Sequence, residues 1–222
     1  MEIFLDTANT DEISEILEWG IIKGITTNQK IFLKEKGCNF EEQSKKILRM
    51  VEPYPVSLEG PNNLDELLEE ARKYSKWGKN VVIKVPMLAD GSGLKAVKIL
   101  ESKGIKTNVT AMMSVNQAFL AITAGASYAS LFYNRMRDSG SDPVDVVKKS
   151  RAIIDAGSSK TKLIVGSIRN PSDIVEIASA NPHIITIPYN ILKQMPYHER
   201  TVSTLDEFDK AWEEFKKVEK QC

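Results

Sequence analysis

Eight short β-rich runs, separated by stretches of helical periodicity, repeat from one end of the chain to the other, and this alternation limits the fold more than any other feature. The runs occupy 2–6, 23–27, 55–59, 80–86, 104–109, 127–132, 162–167 and 183–188. Thr10-Asp-Glu, Asn63-Leu-Asp-Glu and Ser172-Asp-Ile carry the polar-then-acidic signature of helix starts. Gly20, Gly78, Gly104, Gly125 and Gly157 fall at or just past helix ends, where a left-handed backbone is wanted. Strands alternating with helices form a parallel sheet with helices over it.

Periodicity alone does not separate an open sheet from a closed one. No G-x-G-x-x-G follows the first run, so the usual dinucleotide crevice of an open sheet is missing. Polar residues stand at the C-terminal end of almost every run: Asp6, Thr26 with Asn28, Glu59, Lys84, Asn108 with Thr110, Arg135, and Ser167 with Arg169. An open sheet uses the strand ends beside one switch point, whereas a barrel brings all of them to one mouth. The expected fold is therefore a single (β/α)8 barrel over residues 1–222, near the lower size limit for such a barrel. An additional C-terminal helix at 204–218 carries Phe208, Ala211, Trp212 and Phe215 on one face, which must cover this barrel or a neighbouring subunit.

Thirty basic and thirty acidic side chains balance, which argues against nucleic acid or an anionic membrane as a partner. The two cysteines, Cys38 and Cys222, form neither a disulfide framework nor a metal-ligand spacing. Asp6, Asp11, Glu12, Glu15 and Glu18 interrupt the first thirty residues, so no secretory or transit segment is expected, and the setting reads as cytoplasmic. His183 and His198 resemble neither a general base nor a metal site.

Lys84 is the sharpest chemical feature. Alternation in Asn80-Val-Val-Ile-Lys-Val-Pro86 puts it on one face with Val82 and Pro86. A central parallel strand is covered on both sides, and burial disfavours the ammonium form, leaving the neutral amine that attacks a ketone. The same lysine could instead snorkel to solvent or pair with a carboxylate. Glu59 and Asp6 end the third and first runs, and two carboxylates at one mouth divide proton transfer when their surroundings differ. Either could equally be a structural partner of Lys84. Asn28, Asn108 and Thr110 offer neutral groups for substrate hydroxyls, or caps for the following helices. In Gly166-Ser-Ile-Arg-Asn-Pro171, Pro171 suits a first helical position, so Ser167 and Arg169 project at a helix N-terminus that suits phosphate. Arg135 could add a second bidentate donor. The alternative is an ordinary cap with two solvent-facing arginines.

The segments Phe4-Leu-Asp-Thr-Ala-Asn9, Gly24-Ile-Thr-Thr-Asn28, Val82-Ile-Lys-Val-Pro86, Gly104-Ile-Lys-Thr-Asn-Val-Thr110 and Gly166-Ser-Ile-Arg-Asn-Pro171 resemble, in order and spacing, the small transaldolases and fructose-6-phosphate aldolases. The resemblance implies a class I aldol mechanism with Lys84 as the Schiff-base lysine. It implies Asp6 as the acid/base at the C4 hydroxyl, and Glu59 with Thr110 as the pair handling a catalytic water. Thr26, Asn28 and Asn108 fall on substrate positions, and Arg135, Ser167 and Arg169 on the phosphate site. The implied reaction moves a dihydroxyacetone unit between sugar phosphates with no metal and no organic cofactor. Small members of the family form pentamers and decamers, so a homo-oligomer is expected. Free-aldolase members resemble this chain but carry Gln and Tyr where Glu59 and Phe132 stand, so the pair here implies transfer. A free aldolase and a catalytically silent sugar-phosphate-binding barrel are the competing readings. An isomerase without an imine would leave Lys84 unexplained.

The chain departs from the family pattern at Gln29, at Gly60-Pro61, and at Tyr133-Asn134. These changes are expected to cluster around the mouth and alter a donor or acceptor pocket.

Overall fold

A computed structural model describes residues 1–219; Cys222 lies outside the described residues. The chain opens with β1 (Glu2–Asp6), α1 (Thr10–Leu17), β2 (Ile22–Thr26), α2 (Gln29–Phe32), α3 (Phe40–Val51) and β3 (Val56–Glu59). It continues through α4 (Leu64–Tyr74), β4 (Val81–Pro86), α5 (Ser92–Glu101), β5 (Thr107–Met112), α6 (Val115–Thr123) and β6 (Tyr128–Phe132). It ends with α7 (Tyr133–Asp138), α8 (Pro143–Ala156), β7 (Lys162–Gly166), α9 (Pro171–Ser179), β8 (Ile184–Pro188), α10 (Tyr189–Leu192) and α11 (Glu199–Glu219).

The strands close in sequence order, all parallel, with β8 returning to β1 from Glu2 beside Ile184 to Asp6 beside Pro188. This is the expected (β/α)8 barrel. Strand alternation sorts the apolar side chains into two cores. Leu5, Ile25, Leu58, Ile83, Val85, Leu131, Val165 and Ile187 point outward into the layer shared with the helices. Phe4, Val82, Tyr128, Ile164 and Ile184 form a separate cluster that fills the barrel beneath the mouth. Gly24 is required there, because a Cβ on it would stand 2.6 Å from the Phe4 ring. The plug matters for chemistry: it makes the barrel a floor, so polar groups one layer higher face a pocket and not a channel.

Helices α1 and α4 start where the sequence signals put them, with Asn9 and Asn63 accepting backbone amides of the first turn, and Asn39, not among those signals, caps α3 in the same way. Gly20, Gly104 and Gly125 are left-handed as expected. Gly78 is not, and Gly157 has φ −83, the left-handed place falling to Ser158 at φ 47. The fifth strand also differs from expectation. Residues 104–106 turn out of α5, with the Gly104 and Ile105 amides donating to Glu101 O and Leu100 O. Glu101 Oε1 then takes the Thr107 amide, so pairing begins at Thr107 and runs on to Met112. Helix α11 starts earlier than expected and none of its residues is buried; Phe208, Trp212 and Phe215 are exposed, so the chain's own barrel does not cover that stripe. No described helix is long and apolar enough to cross a membrane.

Candidate active site

Register brings the central pair together. β3 and β4 run side by side with Glu59 opposite Lys84, and both lie at inward positions of their strands. Lys84 is 5% exposed. Its Nζ stands 2.5 Å from Glu59 Oε2 and donates to Thr27 O at 2.8 Å. The expected burial is therefore present, together with the carboxylate pairing that the sequence left open.

Asp6 opposes Thr26 across β1 and β2 and accepts its hydroxyl at 2.7 Å; the Thr26 and Thr186 oxygens are 2.5 Å apart. Burial pushes the Asp6 carboxyl up; the Thr26 donation and the Lys84 charge offset only part of this, leaving it above its ordinary value. Asn108 is fully buried, accepts from Ser130 Oγ at 2.7 Å and donates to Ser57 Oγ at 3.2 Å. Thr110 Oγ1 is buried and has no hydrogen-bond partner among the described residues. Ala111 follows with φ 61, where the β5–β6 register slips between Val109 and Met112. Such an irregularity at a barrel rim redirects the flanking side chains.

A cavity of about 180 Å³ opens at this mouth, lined among others by Asp6, Thr26, Asn28, Lys84, Asn108 and Thr110. Asn28 lines it while its Oδ1 caps α2 at the Ile31 amide, so the cap and the lining coexist. Phe132, Arg135 and Ser167 form the opposite side, with the Arg135 guanidinium 5.1 Å from the Phe132 ring centroid. Ser167 has φ 63, a strained conformation for a residue with a Cβ.

Arg169 is not brought to the cavity. Its guanidinium is bidentate on Asp138, at 2.9 and 2.5 Å, which holds the Asp138 carboxyl below its usual range. The N-terminus of α9 is also already occupied: Asp173 Oδ2 accepts the amides of Arg169 and Asn170 at 2.9 and 3.0 Å. The anion site expected from the sequence is thus reduced to Arg135 and Ser167 in this arrangement.

Ser130 and Thr186 line the cavity and were not found from the sequence, while Gly166, also in the lining, opens the segment read there as an anion site. Ser130 and Thr186 lie two residues before their strand ends, so inward parity with Phe132 and Pro188 is the signal that reveals them. The departures from the family pattern do not line the cavity, contrary to expectation. Gln29 Nε2 donates to Gly60 O at 2.7 Å, and with Pro61 these residues border an outer groove that reaches Glu59. Tyr133 and Asn134 are buried against α9. Among the described residues no group of three or more His, Cys, Asp or Glu is placed to hold a metal ion.

Fold and site together define a (β/α)8 barrel whose mouth holds a buried lysine paired with Glu59, with Asp6 lining the same cavity. Residues 3–221 match the family model described as transaldolase/fructose-6-phosphate aldolase. A "probable transaldolase" of Desulforudis audaxviator is 43% identical over 98% of this chain and 100% of its own length. One from Symbiobacterium thermophilum is 41% identical over 96% and 97%. A solved mandelate oxidase variant carrying an FMN adduct shares the fold alone, with TM-score 0.57 at 11% identity over 85% of this chain and 64% of that one. The chain belongs to the transaldolase/fructose-6-phosphate aldolase family.

Proposed function

We propose that this protein transfers a dihydroxyacetone unit from a ketose phosphate to an aldose phosphate through a Schiff base on Lys84. The observation that carries this reading is the Lys84 amine, buried and 2.5 Å from Glu59 at the edge of a cavity that Asp6 also lines. Glu59 takes the proton that the Lys84 ammonium must shed before its nitrogen can attack the ketose C2. The carbinolamine then loses water, which Thr110 Oγ1, otherwise unpartnered, helps to hold with Glu59. Asp6 removes the C4 hydroxyl proton; the C3–C4 bond breaks, its electrons pass into the protonated imine, and the aldose phosphate leaves. An acceptor aldehyde reverses these steps. A carboxyl held above its ordinary value by burial suits that exchange, because its proton affinity in the site lies nearer to working pH. Thr26, Asn28 and Asn108 orient the sugar hydroxyls. Arg135 and Ser167 receive the phosphate beside Phe132, joined by Arg169 when its guanidinium leaves Asp138. The protonated imine is the electron sink, so the proposal needs no metal or cofactor.

Transfer is preferred to release of free dihydroxyacetone because Glu59 and Phe132 stand where free aldolases carry Gln and Tyr. Assay of fructose 6-phosphate turnover with and without an aldose phosphate acceptor tests this. Product that requires the acceptor supports transfer, and turnover without it favours the aldolase. No turnover in either arm would favour a silent binding barrel. The exposed apolar stripe of α11 supports a second proposal, that this helix packs on a neighbouring copy in a homo-oligomer.

A further inference from the structure

Behind the cavity, α7 and α9 are joined by a polar clamp, buried at Tyr133, Asn134 and Asp173 and open to solvent at Arg137 and Glu176, whose members include both residues of the Tyr133-Asn134 departure. Asn134 is 3% exposed. Its Nδ2 donates to Asp173 Oδ2 at 2.6 Å and to Ser167 O at 2.9 Å, and its backbone amide meets the same carbonyl at 3.3 Å. Asp173 is 1% exposed and also accepts from Arg137 at 3.2 Å. Burial pushes the Asp173 carboxyl up, but the Arg169 and Asn170 amides, Asn134 and Arg137 together overcome this and hold it below its ordinary value. Arg137 continues the clamp to Tyr133 Oη at 2.9 Å and Glu176 at 2.7 Å, and the Tyr133 hydroxyl donates to Glu176.

We propose that Asn134 is a positioning residue for the phosphate end of the substrate, acting through the Ser167 carbonyl and Asp173; the inference rests on the reading of Arg135 and Ser167 as the phosphate site. Two donors from one residue converge on Ser167 O and draw that carbonyl towards a side chain outside the cavity lining. Without the Nδ2 donation the Ser167 carbonyl keeps only the 3.3 Å bond from the backbone amide of residue 134, so the left-handed Ser167 backbone is held less firmly and the carbonyl's negative end is freer to face an anion. Asn134 also precedes Arg135 on α7, so one side chain fixes the spacing between the two phosphate-binding positions. A hydrophobic residue there would pack but would leave both Ser167 O and Asp173 short of a donor.

The test compares the parent protein with Asn134→Ala in two measurements. The first is calorimetric titration with inorganic phosphate. The second is KM and kcat for fructose 6-phosphate and for fructose, its unphosphorylated counterpart. The clamp predicts roughly tenfold weaker phosphate binding and a roughly tenfold higher KM for the phosphorylated ketose. Its kcat, and kcat/KM for fructose, should stay within about twofold, because Lys84 and Asp6 are untouched. A merely structural role would depress both substrates together and would overturn the proposal. So would unchanged phosphate affinity in the variant, or a parent that binds no phosphate. Should Asn134→Ala fail to fold, Asp173→Asn, which keeps the shape and weakens the clamp, carries the same readouts. A parent that binds phosphate but turns over no ketose would refute the proposed reaction, and the titration alone would then decide the clamp.

Discussion

Lys84 and Glu59 meet because adjacent parallel strands in register aim these inward side chains at each other above the barrel floor, with Thr27 O as the further acceptor of the Lys84 amine. The lysine was legible from strand alternation, and Glu59 from strand order. The direction of the Asp6 carboxyl gives a prediction with a definite sign. Its folded value is raised, so stability tied to Asp6 is fully present below the ordinary carboxylate range and is lost as pH rises through the raised value. Asp6→Asn, neutral throughout, should therefore melt higher than the parent at about pH 8, with the gap closing as pH falls towards about 4. The same variant should lose roughly a hundredfold or more in turnover, as removal of a general acid/base does. Thr110→Val makes a related test: deleting a buried hydroxyl that has no partner among the described residues should leave denaturant stability unchanged or raise it by up to about 1 kcal/mol, while slowing imine formation. Arg169 marks where residue-level reading stopped. Its position past β7 was legible, but its direction is set by Asp138 at the end of α7, which no local pattern announces.

Elements were legible where a cap and a period agreed. Asn63 before Asp65 and Glu66 starts α4 as its sequence says, with both of their amides on the Asn63 side chain. The fifth strand was displaced because Gly104-Ile-Lys looks β-rich, yet Glu101 reaches across the turn and delays pairing to Thr107. Short helices α2, α7 and α10 carry too little period to be seen, although α7 presents Arg135 to the cavity. Gly24 belongs at this scale, since its missing side chain lets β2 pass the Phe4 ring. Gly24→Ala should cost about 1–3 kcal/mol of unfolding free energy in denaturant melts, the usual penalty for overfilling a packed core. Gly20→Ala meets open space but sits at φ +70, so its cost of about 1 kcal/mol comes from backbone strain alone.

For the whole molecule, closure of the barrel was legible from polar strand ends, because only a ring of strands gives so many of them one destination. What the last helix covers was not legible, since an apolar stripe names a need and not a partner. Leu205, Phe208, Trp212 and Phe215 stay exposed on α11, the face that the proposed homo-oligomer would cover. On that proposal the parent should sediment as more than one copy, and Trp212→Glu with Phe208→Glu should reduce this to smaller species; a monomeric parent, or an unchanged mass in the variant, would remove α11 from any interface. All of the proposed chemistry depends on Lys84 bonding to a ketose carbon, and borohydride trapping reads that bond directly. With fructose 6-phosphate and borohydride, the intact mass should rise by one reduced adduct, confined to the peptide that contains Lys84 and absent from Lys84→Arg. No adduct on the parent, or one that persists in the variant, would contradict the account.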